Sequence, residues 1–165
     1  KKVLALYYKP NPNLYNGAGF DRGHLVPAGD MRFARIAMDE TFYTSNISPQ
    51  LPAFNRGMWS ELEQKIRDKI VMENDTVQII SGPVLSNDLP KLKNSISIPK
   101  YFYKIYFNYN KMIVVLLENR RYEKIDTPNN YIISVDQLER LTGIDFFFNL
   151  PDSIENKLES EKNSL

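Results

Sequence analysis

Four consecutive residues, Asp21-Arg22-Gly23-His24, combine a carboxylate, a guanidinium and the only imidazole in the chain. An imidazole is the side chain best matched to proton transfer near neutral pH. The guanidinium suits a phosphate and the carboxylate can brace a neighbour. Downstream stand Thr44-Ser45-Asn46-Ile47-Ser48-Pro49-Gln50 and then Phe54-Asn55-Arg56-Gly57-Met58-Trp59-Ser60-Glu61-Leu62-Glu63, with Arg67 four residues beyond Glu63. Singly these residues read as ordinary. A lone histidine is commonly a satisfied hairpin residue, Asn55 could cap a helix, and Glu63–Arg67 could be a surface ion pair worth under ~1 kcal/mol.

The elements that must position them are legible in outline. Ala53 to about Met72 has a helical period, with Met58, Trp59, Leu62, Ile66 and Ile70 as its apolar stripe. On a regular helix Asn55 and Glu63 stand about 80° apart around the axis and ~12 Å along it, while Glu61 points away. Side chains lean toward the N-terminus, which brings Glu63 back toward Asn55. The gap remains too long for both to touch one ion, but a hydrated Mg²⁺ can bridge it, because that ion keeps several waters.

Leu4–Tyr8 reads as a first strand, Asn11–Gly19 as a loop, Phe20–Pro27 and Thr44–Ile47 as short extended pieces. Val77–Ile80 reads as a strand ended by Ser81-Gly82-Pro83. Ile96–Asn108 and Met112–Leu117 are strand-like, joined by a hairpin at 108–111. The aromatic residues of 101–107 are expected to fill one face of the sheet. Ser134–Leu141 reads as a helix with Ser134 and Gln137 as a capping box and Gly143 past its end. Asp152 to about Ser160 reads as a polar last helix. This order argues an α+β class with a mainly antiparallel sheet.

Composition narrows the class further. The chain has 165 residues, enough for one domain, with 21 Lys plus Arg against 20 Asp plus Glu. Bulk charge therefore gives no case for a polyanion partner. The distribution is uneven: eight basic residues (Lys91, Lys93, Lys100, Lys104, Lys111, Arg120, Arg121, Lys124) face only Glu118 and Glu123 within 91–124, whereas 125–165 is acidic. Segment 91–124, Lys100 and Lys104 in particular, is a candidate for phosphate-backbone contact. Cysteine is absent, which excludes disulfides and thiolate metal sites. No apolar run is long enough to span a membrane. The chain opens on Lys1-Lys2 without Met or a signal-peptide pattern, so it reads as a mature or trimmed fragment.

Taken together, the run Asp21-Arg22-Gly23-His24-Leu25-Val26-Pro27-Ala28-Gly29-Asp30, the segment Ser45–Gln50 and the pattern Asn55-x-Gly57-x-Trp59-x-x-Leu62-Glu63 resemble the DNA/RNA non-specific endonucleases, the ββα-metal nucleases with a DRGH motif. Residues 98–104 and 138–147 look similar too, so the resemblance spans about 14–150. It implies the ββα-metal (His-Me finger) nuclease fold over a single domain, 1–165. It implies a Mg²⁺-dependent, sugar-non-specific endonuclease acting on DNA and RNA, with Mn²⁺ or another divalent ion able to substitute. By resemblance His24 is the general base, Asp21 supports the site, Arg22 binds substrate or supports the site, and Arg67 contacts phosphate. Asn55 ligates the metal, Glu63 holds its water shell, and Asn46 is a further active-site residue.

Family members carry another arginine about thirty residues before the histidine. Only 23 residues precede His24 here, and none outside the motif is Arg. The expectation is a missing upstream strand, cleaved or carried on a second chain. A homodimer is open, as are a secreted or periplasmic location and an organellar one. The competing readings are a catalytically silent nucleic-acid-binding domain on the same fold and a narrower phosphodiesterase or RNase.

Overall fold

The computed structural model describes residues 12–74 and 76–165. The strand expected at Leu4–Tyr8 lies outside the described residues. Strand β1 (Asp21–His24) pairs antiparallel with β2 (Ile47–Gln50), Asp21 opposite Gln50 and His24 opposite Ile47. Between them lies helix α1 (Arg35–Glu40), which carries no sequence signal strong enough to be expected. Thr44–Asn46 forms a tight turn before β2 rather than an extended piece.

The expected helix over 53–72 is two segments. Phe54–Trp59 is wound as a π-helical turn, and helix α2 (Ser60–Glu73) follows. The change falls at Gly57, whose dihedrals (φ −107°, ψ −111°) leave the helical region, as a residue without Cβ can. Asn55 is therefore not a helix cap; its side chain is engaged elsewhere.

Strand β3 (Gln78–Pro83) continues through Ser81-Gly82-Pro83 instead of ending there. It lies at one end of the β3-β6-β7-β8 sheet, where Pro83 at the strand's end is tolerated. The segment expected as one strand from Ile96 is split by Pro99. The pair β4 (Lys91–Leu92) and β5 (Ile96–Ser97) forms a small ribbon, and β6 (Tyr101–Asn108) starts afresh. β6 lies between β3 and β7 (Lys111–Glu118), and β8 (Ile132–Ile133) completes the sheet; every pairing is antiparallel.

The sheet is covered on both faces, so the aromatic strand buries more than the single face expected. Phe102, Tyr106, Ile113, Val115 and Leu117 pack against Phe54, Met58, Trp59, Leu62 and Ile66 of the π turn and α2. Tyr103, Ile105, Phe107, Met112 and Val114 pack against Val135 and Leu138 of α3 (Val135–Thr142) and Leu158 of α4 (Asp152–Ser160). The capping box at α3 forms as expected: Gln137 N–H donates to Ser134 Oγ at 3.2 Å and Ser134 N–H to Gln137 Oε1 at 3.1 Å. Gly143 ends the helix with φ +69°, the left-handed conformation that glycine adopts freely.

Candidate active site

β1 delivers the four-residue motif to the edge of α2. Gly23 is buried, and a Cβ there would run into the Gln50 side chain, so this strand pair closes only around glycine. Asp21 carries the first positioning contact. Its Oδ2 accepts from Asn55 Nδ2 at 3.0 Å, and Arg56 grips both of its oxygens at 2.8 and 2.7 Å. Those donors, Arg56 foremost, hold the Asp21 carboxyl below the usual carboxylate range. An ionised carboxylate can only accept, so the Asn55 amide must turn its NH₂ inward and present Oδ1 on the other side.

His24 sits half-buried at the end of β1, its ring meeting the Phe42 ring edge-on at 4.9 Å. Burial lowers its pKa, against a smaller opposing effect from a hydrogen bond to the Arg22 backbone. Nε2 is shielded and has no hydrogen-bond partner among the described residues. The neutral ring favoured by burial keeps a lone pair on one nitrogen that can take a proton.

Three side chains fix the backbone on which His24 stands. Trp59 Nε1 donates to the His24 carbonyl at 3.1 Å. Lys104 Nζ donates to the Leu25 carbonyl at 2.8 Å and to Ser81 Oγ at 2.9 Å. Asn46 accepts from Val26 N–H at 3.0 Å and donates to the carbonyls of Val26 and Thr41, both at 2.8 Å. Asn46 thus spends both amide ends on backbone and braces the loop after His24.

Lys104 corrects the expectation of an exposed phosphate contact. Its side chain is 2% exposed, because strand alternation puts it on the α2 face beside Phe102 and Tyr106. Its ammonium lies 3.7 Å from Glu63 Oε1 and 4.5 Å from the centre of the Trp59 ring. Glu63 is itself 12% exposed. Burial raises the Glu63 pKa against the pull of Lys104, and burial brings Lys104 down to about 8. Lys100, by contrast, is exposed.

Glu63 and Arg67 share a helix face but are not hydrogen-bonded to each other. Arg67 Nη1 donates to Asp30 Oδ1 at 2.9 Å, and its Nε and Nη2 reach Gln64 Oε1 at 3.3 and 3.1 Å. Arg22 is exposed on β1, with its guanidinium 6.0 Å from the Tyr15 ring centre. The structure thus links Asp21 to Asn55, the backbone after His24 to Glu63 through Lys104, and Arg67 to the Asp30 loop.

Trp59 and Lys104 hold the backbone at His24 and Leu25, where the sequence reading has Trp59 on the apolar stripe and Lys104 as a phosphate contact. The available signal was a lysine at an inward strand position and a tryptophan on the stripe beside Asn55.

The donor set suits a hard divalent cation. Asn55 Oδ1 has no hydrogen-bond partner among the described residues, and α2 carries the Glu63 carboxylate, so the candidate donors are oxygens.

The sequence profile of the family described as DNA/RNA non-specific endonuclease matches residues 2–153. A "Nuclease" of Nostoc sp. (strain PCC 7120 / SAG 25.82 / UTEX 2576) is 33% identical, over 98% of this chain and 62% of that protein. Human "Endonuclease G, mitochondrial" is 27% identical, over 87% of this chain and 54% of that protein. The chain thus spans less than two thirds of the length of these relatives. A crystal structure of an EndoG/EndoGI complex superposes with a TM-score of 0.74 at 26% identity, covering 86% of this chain and 64% of that one. The β1–β2 pair followed by α2 corresponds to the ββα-metal nuclease fold. A family profile matched over residues 2–153 and a relative 33% identical over 98% of the chain show that the chain belongs to the DNA/RNA non-specific endonuclease family.

Proposed function

We propose that this chain hydrolyses phosphodiester bonds of DNA and RNA as a Mg²⁺-dependent, sugar-non-specific endonuclease. The observation that carries the reading is the Asp21–Asn55 bond, which turns an amide oxygen outward beside the strand that bears His24. Asn55 directly, and Glu63 through the ion's waters, would hold Mg²⁺, which would supply neutralisation of the charge that develops on the phosphoryl group.

The chain's own residues do the rest. His24 takes the proton of the attacking water on its unprotonated ring nitrogen, a task that needs the neutral ring favoured by burial. The water oxygen bonds to phosphorus as the P–O3′ bond breaks, the departing O3′ takes a proton from solvent water, and the products carry 5′-phosphate and 3′-hydroxyl ends. Arg67, pre-set by Asp30, and the exposed Arg22 donate to phosphate oxygens. Contacts confined to phosphate and sugar would give cutting with little sequence preference.

The test is nicking of supercoiled plasmid, with RNA in parallel, in Mg²⁺ and in EDTA. His24→Ala and Asn55→Ala should each lose at least about 10²-fold, the usual scale for a general base, while circular dichroism stays unchanged. Undiminished cleavage by His24→Ala would overturn the assignment. Salt-sensitive DNA binding without metal-dependent cleavage by the unaltered chain would favour a silent binding domain instead.

A further inference from the structure

We infer that Asp136, Glu139 and Glu159 form a second divalent-cation site, of the Ca²⁺ class, which clamps α4 to α3 on the sheet face away from the proposed active site. One carboxylate oxygen from each lies within 4.8 Å of the others. Asp136 and Glu139 are three residues apart on α3 and share a face. Glu159 reaches them from the last turn of α4.

The cluster is more than a group of surface acids. Glu159 is only 7% exposed. Its Oε1 is shielded from solvent and has no hydrogen-bond partner among the described residues. The groups that bear on it most, Glu139, Glu155, Asp136 and Asp145, are all acidic. Glu139 is held in place, since its Oε1 accepts from Phe146 N–H at 2.7 Å. A buried carboxylate among like charges needs a cation or a proton.

The donors are carboxylate oxygens from two helices, without His or Cys. Ca²⁺ accepts several carboxylates in loose geometry, whereas Mg²⁺ takes one or two and keeps its waters. The sheet separates the cluster from the active site. α3 and α4 cover the face bearing Tyr103, Ile105 and Phe107, and α2 covers the face bearing Phe102 and Tyr106. α4 is largely polar and anchors in that core through Leu158, so a bridging ion would add a second tie.

The experiment titrates Ca²⁺ into the full chain carrying Asn55→Ala, which removes the proposed catalytic ligand. It is run at pH 8, above the Glu159 pKa of about 7, so that the carboxylate is ionised. Calorimetry should find one Ca²⁺ per chain, and Ca²⁺ should raise the melting temperature. Adding Glu159→Gln should weaken Ca²⁺ binding at least tenfold and abolish the thermal shift. Asp136→Asn should act the same way, which guards against a local disturbance of α4. Glu159→Gln alone should leave Mg²⁺-dependent plasmid nicking unchanged. Ca²⁺ binding that is equal with and without Glu159→Gln would overturn the site. So would absence of binding to the Asn55→Ala chain at pH 8, which would mean that the cluster shares a proton instead.

Discussion

Asp21 Oδ2 and Asn55 Nδ2, 34 residues apart in the chain, meet at 3.0 Å across the junction of β1 and the π turn. The bond decides which end of the amide faces the proposed metal. Arg56, bound to both oxygens of the same carboxylate, keeps it ionised and keeps that choice fixed.

Asp21→Asn should therefore lower activity without unfolding the chain. A neutral amide at 21 can donate as well as accept, so Asn55 is no longer compelled to present its oxygen. Loss of a residue that orients a metal ligand typically costs 10- to 100-fold. The loss should appear as a raised Mg²⁺ requirement in a metal titration of nicking. An unchanged Mg²⁺ dependence would show that Asp21 merely staples β1 to the turn.

Lys104→Met tests the buried ammonium. The variant leaves the Glu63 carboxylate and the Leu25 carbonyl without their partner in a nearly dry place. Breaking a buried pair from one side costs about 3–5 kcal/mol. Urea unfolding should show a loss of that order. Adding Glu63→Gln should recover part of it, because no charge is then left stranded. If the double variant is no more stable than the single one, Lys104 matters for its backbone bonds alone.

The candidate site residues are legible in the sequence because they sit in short contiguous runs. A four-residue motif on one strand and the helical period from Leu62 onward place Asp21, His24, Glu63 and Arg67 without knowledge of the fold. A charge sum along the segment does not single out Lys104. Its strand parity with Phe102 and Tyr106 says that it points inward, whereas the segment sum says that it is one more surface cation. The run Tyr101–Phe107 is apolar apart from Lys104, and a near-continuous run signals a strand covered on both faces. The π turn was hidden because Gly57 interrupts the pattern at a single position, and a period of 3.6 fits equally well on either side of it.

Gly23→Ala tests the closeness of the two strands at the motif. The added methyl would occupy the space of the fully buried Gln50 side chain, which would have to shift within the interior to admit it. Overpacking of this kind costs about 1–3 kcal/mol. The melting temperature should fall. Nicking should fall with it at temperatures where the variant is still folded, because β1 carries His24 at its end. Wild-type stability in the variant would mean that β1 and β2 separate freely.

The pH dependence follows from the environment of His24. Burial holds its pKa below the ordinary 6.5, so the neutral ring persists to lower pH than in the unfolded chain. The acid limb of kcat/KM should lie below 6.5, with activity rising as pH climbs through it. Linkage has the same sign: the contribution of His24 to stability is full above 6.5 and is lost as pH falls from there toward the native value. Phe42, edge-on to the ring at 4.9 Å, supplies part of the shielding. Phe42→Ala should let water reach the imidazole, ease the penalty on its cation and move the acid limb up toward 6.5. A pH–rate profile of the two proteins at saturating Mg²⁺ measures the shift. A limb that stays in place in Phe42→Ala would show that the remaining walls of the site, and not this ring, keep the imidazole neutral.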